Sequence, residues 1–272
     1  MNFIKHKVEH NKRFNFGKNW KKYSLNINDD TIIFAENSLK NMLRLENLKG
    51  KDFIDVGCGS GLFSLAARRL GASVISFDFD KNSIESTLDL KNKFFNKDDR
   101  WQIYHNSILN KSFLESLGKF DIIYSWGVLH HTGSMWEALE NLNILTKKNS
   151  LLFIALYNDK GNLSKFWKFI KKTYVNSPFF IKFLIIVLYF LRKNIKKIVL
   201  NILQFNFSNI FKFKIKRRGM SSFIDLVDWV GGYPYEYTSA TKVKIFYENK
   251  YDLIKLNETQ GLGNNEFVFI KK

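Results

Sequence analysis

Hydrophobic positions along the middle of the chain alternate between two periods. Short apolar runs at Asp52–Val56, Ser73–Phe77, Trp101–His105, Asp121–Ser125 and Leu151–Leu156 read as strands. The stretches between them, Leu62–Leu70, Asn82–Asn92, Ser112–Leu117 and Trp136–Leu145, return apolar residues at helical spacing. Strand–helix alternation of this kind predicts right-handed βαβ units around a mostly parallel sheet. Near the end, Leu253–Leu256 and Glu266–Ile270 flank Gly261-Leu262-Gly263 and predict a closing hairpin.

Two segments depart from this rhythm. Residues 1–48 hold Phe14-Asn15-Phe16-Gly17-Lys18-Asn19-Trp20 and then Asn28-Asp29-Asp30, a cap for an amphipathic run through Ile32, Ala35, Leu39 and Met42. They predict a short arm and a helix packed beside the main domain. From Asn158 to Ser239 an insertion interrupts the βα pattern, and Ser177-Pro178 predicts a helix start inside it, with serine as cap and proline in the first turn. The domain division is therefore 1–48 as arm and helix, 49–158 with 240–272 as the α/β unit, and 159–239 as a basic helical cap.

Composition adds exclusions. A 45% hydrophobic, 25% charged chain of 272 residues can bury a core and is not a disordered one. The single cysteine, Cys58, excludes a disulfide framework, and five histidines without ligand spacing predict no metal site. The polar start Met1-Asn2-Phe3-Ile4-Lys5-His6-Lys7 predicts no secretory signal and hence a cytoplasmic setting. The apolar stretch Phe183–Leu191 is far shorter than the ~20 residues of a spanning helix. The net charge of +18 is concentrated, because Lys160–Arg218 holds fifteen Lys/Arg and no Asp or Glu.

The chemistry begins at Asp55-Val56-Gly57-Cys58-Gly59-Ser60-Gly61, a strand end followed by three alternate glycines and a helix. Glycines let the backbone turn sharply against a ligand, and free N–H groups at the helix start favour electronegative atoms. A plain βα turn would look similar. Asp55 inside the turn can receive an ammonium group, and Asp78, about twenty residues on at the end of the second strand, can accept both hydroxyls of a ribose. No Gly-Lys-Ser/Thr follows the glycines, which excludes a phosphate-binding loop of that type.

On these residues the chain resembles the class I S-adenosylmethionine (SAM)-dependent methyltransferases over roughly Lys51–Tyr157 plus the hairpin. The resemblance implies a Rossmann-like seven-stranded, mostly parallel sheet and SAM as cofactor, held by Asp55, Gly57, Cys58, Gly59, Gly61 and Asp78. It places Ser107 and Ile108 beside the adenine, with Ser107 standing where an acid is usual. Phe79 is a candidate adenine-packing side chain, and Trp126 closes the set.

Beyond the fourth strand runs Trp126-Gly127-Val128-Leu129-His130-His131-Thr132-Gly133, at the carboxyl edge where open α/β sheets bind ligands. It resembles the Gly-Val-Leu-His-His segment of methyltransferases acting on small molecules, including quinone precursors and sugars; no Asn/Asp-Pro-Pro-Tyr segment is present. Methyl transfer relies on positioning, but an alcohol acceptor must lose a proton, which suits His130 or His131 as base. His131 lies further into the loop; either histidine can equally serve only to pack it.

A narrower likeness, to a bacterial subgroup associated with surface-polysaccharide methylation, covers Phe16–Trp20, Tyr157–Gly161, Gly219-Met220-Ser221, Asp225–Glu236 and Gly263–Phe267. It makes Phe16, Lys18, Trp20, Tyr157, Asn158, Tyr233, Tyr235 and Asn265 the candidate acceptor-binding residues. The expected reaction is O-methylation of a small or sugar-containing acceptor in capsule or lipopolysaccharide synthesis. A quinone or lipid methyltransferase, an RNA methyltransferase and a non-catalytic cofactor-binding protein stay open beside it. The mixed apolar and basic run 178–218 suits an anionic membrane surface, on the inner face of which the protein would be peripheral. A lid or oligomer contact, or a negatively charged acceptor, suits it too. RNA has the charge in its favour but no stacking platform or binding module.

Overall fold

The computed structural model describes residues 13–203 and 222–272. Within them a seven-stranded sheet runs in the order β3-β2-β1-β4-β5-β7-β6. Its strands are β1 (Asp52–Val56), β2 (Ser73–Asp78), β3 (Trp101–His105), β4 (Phe120–Trp126), β5 (Thr146–Tyr157), β6 (Tyr251–Asn257) and β7 (Asn264–Lys271). The first five are parallel and β7 pairs antiparallel with both β5 and β6. The expected Rossmann-like, seven-stranded and mostly parallel sheet with a terminal hairpin is the one found. The strand order reverses between β1 and β4, and there the carboxyl ends open a crevice for ligands.

The central strands are apolar on both sides because helices cover both faces. One face holds α2 (Asp29–Leu43), α3 (Leu62–Arg69) and α4 (Lys81–Phe94), where Ile32, Leu39, Leu65 and Ala66 pack on Phe53, Val74 and Trp101. The other holds α5 (Lys111–Leu117), α6 (Met135–Asn141) and α10 (Ala240–Tyr247), where Leu114, Leu139 and Val243 pack on Ile54, Ile123 and Phe267. β5 begins five residues earlier than its apolar run, because the polar Thr146–Ser150 still joins the ladder around an irregularity beside Phe120. The predicted helix 136–145 splits into α6 and a tighter 3₁₀ turn at Leu142–Leu145.

The amino-terminal arm carries a helix of its own, α1 (Phe16–Ser24), started by the Asn15 side chain, which accepts from Lys18 N–H. α2 follows from the predicted cap: Asn28 Oδ1 accepts from Thr31 N–H and Thr31 Oγ1 accepts from Asn28 N–H. α1 lies against α4, and Gly17 N–H donates to Asp80 Oδ2 at 3.0 Å. A β-carbon at residue 17 would overlap that carboxylate, so the close approach requires glycine.

The described part of the insertion is α7 (Asn162–Asn176), α8 (Phe179–Leu203) and α9 (Ser222–Gly231). Trp167, Tyr174, Leu226, Val230 and Tyr235 form a third apolar cluster, joined by Phe14 of the arm and Tyr157 of β5. Ser177 does not cap α8 as its sequence suggests. It terminates α7, with its hydroxyl donating to Thr173 O at 2.7 Å, and α8 starts from the Pro178 carbonyl. Gly219-Met220-Ser221 and residues 204–218 of the basic run lie outside the described residues. Among the described residues no helix is long and apolar enough to cross a membrane.

Candidate functional site

The glycine turn joins β1 to α3 with Gly57, Gly59 and Gly61 all at positive φ. Gly57 and Cys58 N–H donate to Phe77 O, which pins the turn to β2, and Gly59 N–H donates to Asp78 Oδ2 at 2.9 Å. A side chain at residue 57 would run into Val128, so this glycine also lets the β4 loop close on the turn. Asp55 is buried and accepts from Ser64 Oγ at 2.5 Å; Ser76 donates to Ser64 and Trp101 Nε1 donates to Ser76. Burial pushes the Asp55 carboxyl up to about 7 and Asp78 to about 6. Among the described residues no cationic side chain acts on either acid. A buried acid and a half-buried one, beside free-turning glycine backbone, fit a ligand that brings an ammonium group and paired hydroxyls, as SAM does.

The next strands complete that edge. Asn106 N–H donates to Asp78 O, and the His105 ring bonds to Phe79 O at 2.9 Å, so the turn after β3 sits beside the end of β2. Phe79 is exposed, with the Arg13 guanidinium 5.2 Å over its ring. Ser107 Oγ accepts from Leu109 N–H, whereas the Ile108 side chain turns into the core. Cys58 is buried against Thr87, and Trp126 Nε1 reaches across to Glu266 at 2.7 Å.

After β4 the chain makes a 3₁₀ turn at Leu129–His131. Its two histidines differ in what their ring nitrogens do. His130 is fully buried and its Nδ1 accepts from Tyr157 N–H at 3.3 Å, which assigns the proton to Nε2. That Nε2–H has no protein partner among the described residues. His131 Nδ1 donates to Pro234 O at 2.5 Å, which leaves a lone pair on Nε2. Burial holds the His131 imidazole far below the usual range, at about 3, so it is neutral at physiological pH. Around them stand Phe16, 4.6 Å from the His131 ring, and Tyr157, 4.0 Å from the His130 ring, with Trp229 and Tyr235 behind Tyr157.

The chain matches the family model of a methyltransferase domain over residues 33–178, more than half of its length. It belongs to that methyltransferase-domain family. A ubiquinone biosynthesis O-methyltransferase of Pelagibacter ubique is 33% identical over 111 residues, which cover 41% of this chain and 44% of that protein. The mitochondrial ubiquinone biosynthesis O-methyltransferase of Dictyostelium discoideum is 30% identical over 136 residues, covering 48% and 42%. The chain therefore spans less than half the length of these curated relatives. Among solved structures, magnesium protoporphyrin IX methyltransferase from Synechocystis PCC 6803 with bound SAM aligns with a TM-score of 0.57 at 11% identity. The alignment covers 98% of this chain and 100% of that one, and the likeness is one of fold.

In this methyltransferase domain the acceptor-side residues expected from sequence divide. Phe16, Tyr157 and Tyr235 meet at the histidine turn. Trp20 lies instead over Gly59 of the glycine turn, and Lys18 is exposed on α1. Tyr233 offers its carbonyl to Phe14 N–H. Asn158 Nδ2 donates to Thr259 O and Gly261 O, and Asn265 bonds to both Asn158 and Thr259, so these buried amides secure the β6–β7 loop.

Other groups enter the site without advance notice. Arg13 donates to Thr132 O at 2.6 Å, tying the arm to the histidine turn. Lys171 of α7 is fully buried, donates to Trp229 O and lies 4.3 Å over the Trp229 ring. Asn19 of the arm donates to Asp228. Glu236 accepts from Met135 N–H and its own N–H donates to His130 O. In the sequence Lys171 is one of fifteen similar cations and Arg13 one residue of a polar arm, so neither stands out.

Burial raises Asp228 and Glu236 to about 7, as it raises Asp55 and Asp78, and it lowers Lys171 to about 7. A carboxyl raised in the folded state holds its proton more tightly there than in the unfolded chain. Its contribution to stability is therefore present in acid and is lost as pH rises towards 7. For Lys171 the unfolded chain binds the proton more tightly, so its contribution grows above pH 7. The buried imidazoles of His130 and His131, both lowered, act in the opposite sense below about pH 6.5, but four raised carboxyls outweigh two imidazoles, so the ligand-free melting temperature is expected to fall between about pH 5 and 7.5 and to recover in alkali. Thermal melts across that range check this; a steady rise from pH 5 to 7.5 would overturn it.

Proposed function

We propose that this chain is a SAM-dependent O-methyltransferase acting on a small ring-shaped acceptor, with His131 as the general base. The observation that carries the reading is the His131 tautomer. Nδ1 is held by Pro234 O, so Nε2 presents its lone pair at the carboxyl end of β4, in a turn whose Val128 packs on Gly57 of the cofactor loop. SAM, when bound, supplies a methyl group already activated on a sulfonium. Asp78 and the glycine turn are the residues that would hold it, with Asp55 behind them. Phe16 and Tyr157 would orient the acceptor ring, with Trp229 and Tyr235 backing Tyr157, and the acceptor hydroxyl gives its proton to His131 Nε2. Among the described residues no carboxylate acts on the imidazolium so formed, so the proton passes on rather than staying. Arg13, α1 and the α7–α9 cap keep water from the site.

The aromatic lining and the names of the sequence relatives support a phenolic, quinone-precursor-like acceptor. A sugar-containing acceptor is the second reading, favoured by a specific feature: the buried N–H groups of His130 and Trp229 have no protein partner among the described residues. Sugar hydroxyls would satisfy both; a bare phenol ring would not. A radiolabelled methyl-transfer screen over catechol-type quinone precursors, nucleotide sugars and sugar phosphates tests the proposal. Transfer to the first group is expected. Transfer to sugars alone selects the second reading, and SAM binding without transfer to any hydroxyl would sink both.

A further inference from the structure

We infer that the outer face of α8 is a docking surface for an anionic lipid bilayer. α8 is a 25-residue helix with two different sides. Ile185, Ile186, Tyr189 and Phe190 pack inward on the cluster that contains Trp167 and Tyr235. On the opposite side Phe180, Phe183, Leu184, Leu188, Leu191 and Ile195 are between 42% and 67% exposed. At helical spacing they fill one arc of about 140° with no charged residue in it. Single exposed apolar residues are ordinary, whereas a continuous ridge of six on one helix marks a contact surface.

Charge selects what covers the ridge. Lys160–Arg218 carries fifteen cations and no acid, which is fifteen of the chain's eighteen excess charges. Arg192 lies exposed at the edge of the apolar arc. Lys182 and Lys193 lie 5.9 Å over the rings of Tyr174 and Tyr189, towards the packed side. An apolar face with a cation at its edge, on a segment that carries no acid, suits a helix lying in the plane of an anionic headgroup layer, its side chains in the acyl boundary. Each Lys or Arg near such a surface strengthens binding roughly fivefold. A second copy on the same face would bring two cation-rich segments together without acids to compensate them. Because the inner side of α8 backs the cluster holding Tyr157, Trp229 and Tyr235, a docked helix sets those aromatic residues about 10 Å, one helix thickness, from the lipid. The inference does not depend on which acceptor is methylated.

The test is flotation of the whole protein with phosphatidylcholine vesicles containing or lacking phosphatidylglycerol. It is run on the parent and on a Phe180→Ser, Leu184→Ser, Leu188→Ser triple variant, and it reads no methyl transfer. Strong flotation only with phosphatidylglycerol, weakened by salt, is expected. The triple variant should partition roughly a hundredfold more weakly while its melting temperature is kept, since the three residues face outward. Arg192→Glu should cost a further factor of roughly ten or more, from removing one cation and adding an anion. Absence of flotation for the parent, or equal flotation of the triple variant, would overturn the inference. So would a parent dimer in sedimentation that the triple variant dissociates, because the face then belongs to a second copy.

Discussion

His131→Ala should lower kcat for methyl transfer by about 10²–10⁴-fold, the usual worth of a positioned general base, while leaving the affinity for SAM within about twofold. The variant removes the one ring nitrogen at this turn with a free lone pair, whose ring bonds to Pro234 O rather than to the glycine turn. Burial keeps His131 unprotonated down to about pH 3, so its own titration puts no acid limb on the rate between pH 5 and 8. An acid limb in that range would belong to the raised carboxyls, Asp78 in particular. His130→Ala is a different experiment, because it strips the acceptor from Tyr157 N–H and loosens the β5 end. Its loss should therefore appear in the melting temperature as well as in kcat. Single-turnover rates with saturating cofactor decide the matter. Undiminished transfer by His131→Ala would remove the base from the mechanism and leave positioning alone.

Asp78→Ala should weaken SAM binding by about 10²–10⁴-fold, from the loss of two hydrogen bonds to a charged acceptor at about 1.5–3 kcal/mol each. The same carboxylate accepts from Gly59 N–H and from Asp80 N–H, so part of the loss comes through the glycine turn relaxing. Calorimetric titration with S-adenosylhomocysteine separates the two contributions. Asp78→Asn keeps an acceptor oxygen for the turn but loses the charge, and should lie between the parent and alanine. Unchanged affinity in both variants would show that Asp78 is a loop fastener and that the nucleoside is held elsewhere. Weaker binding below pH 6 in the parent is the corresponding pH effect, because a protonated Asp78 can no longer accept two hydroxyls.

The sheet was legible because its signals are local. The inner parallel strands β1, β2 and β4 are apolar runs buried for most of their length, and each boundary carries a glycine, an Asp/Asn cap or a change of period. The capped helix at Asn28 and the spacing from Asp55 to Asp78 needed nothing from distant chain. α1 was not legible as a helix, because Phe16–Ser24 has few apolar positions and owes its place to Asp80 and Glu85 on α4. Ser177 misled because a serine before proline can end one helix as readily as begin the next, and its hydroxyl went to the nearer carbonyl.

What the chain order determined by itself, then, is the α/β framework, the glycine turn and the position of the histidine pair at the edge of the sheet. All three follow from residues adjacent in sequence, where propensity, spacing and turn chemistry act directly. Which histidine keeps a lone pair is decided by Pro234, 103 residues away, and by Tyr157. The placing of Arg13 on Thr132, of Lys171 under Trp229, and of Asn158 against Asn265 rather than towards an acceptor depends likewise on segments that meet only when folded. A side chain's hydrogen-bond partner and its degree of burial set its charge and its chemistry, and both are properties of the packed structure.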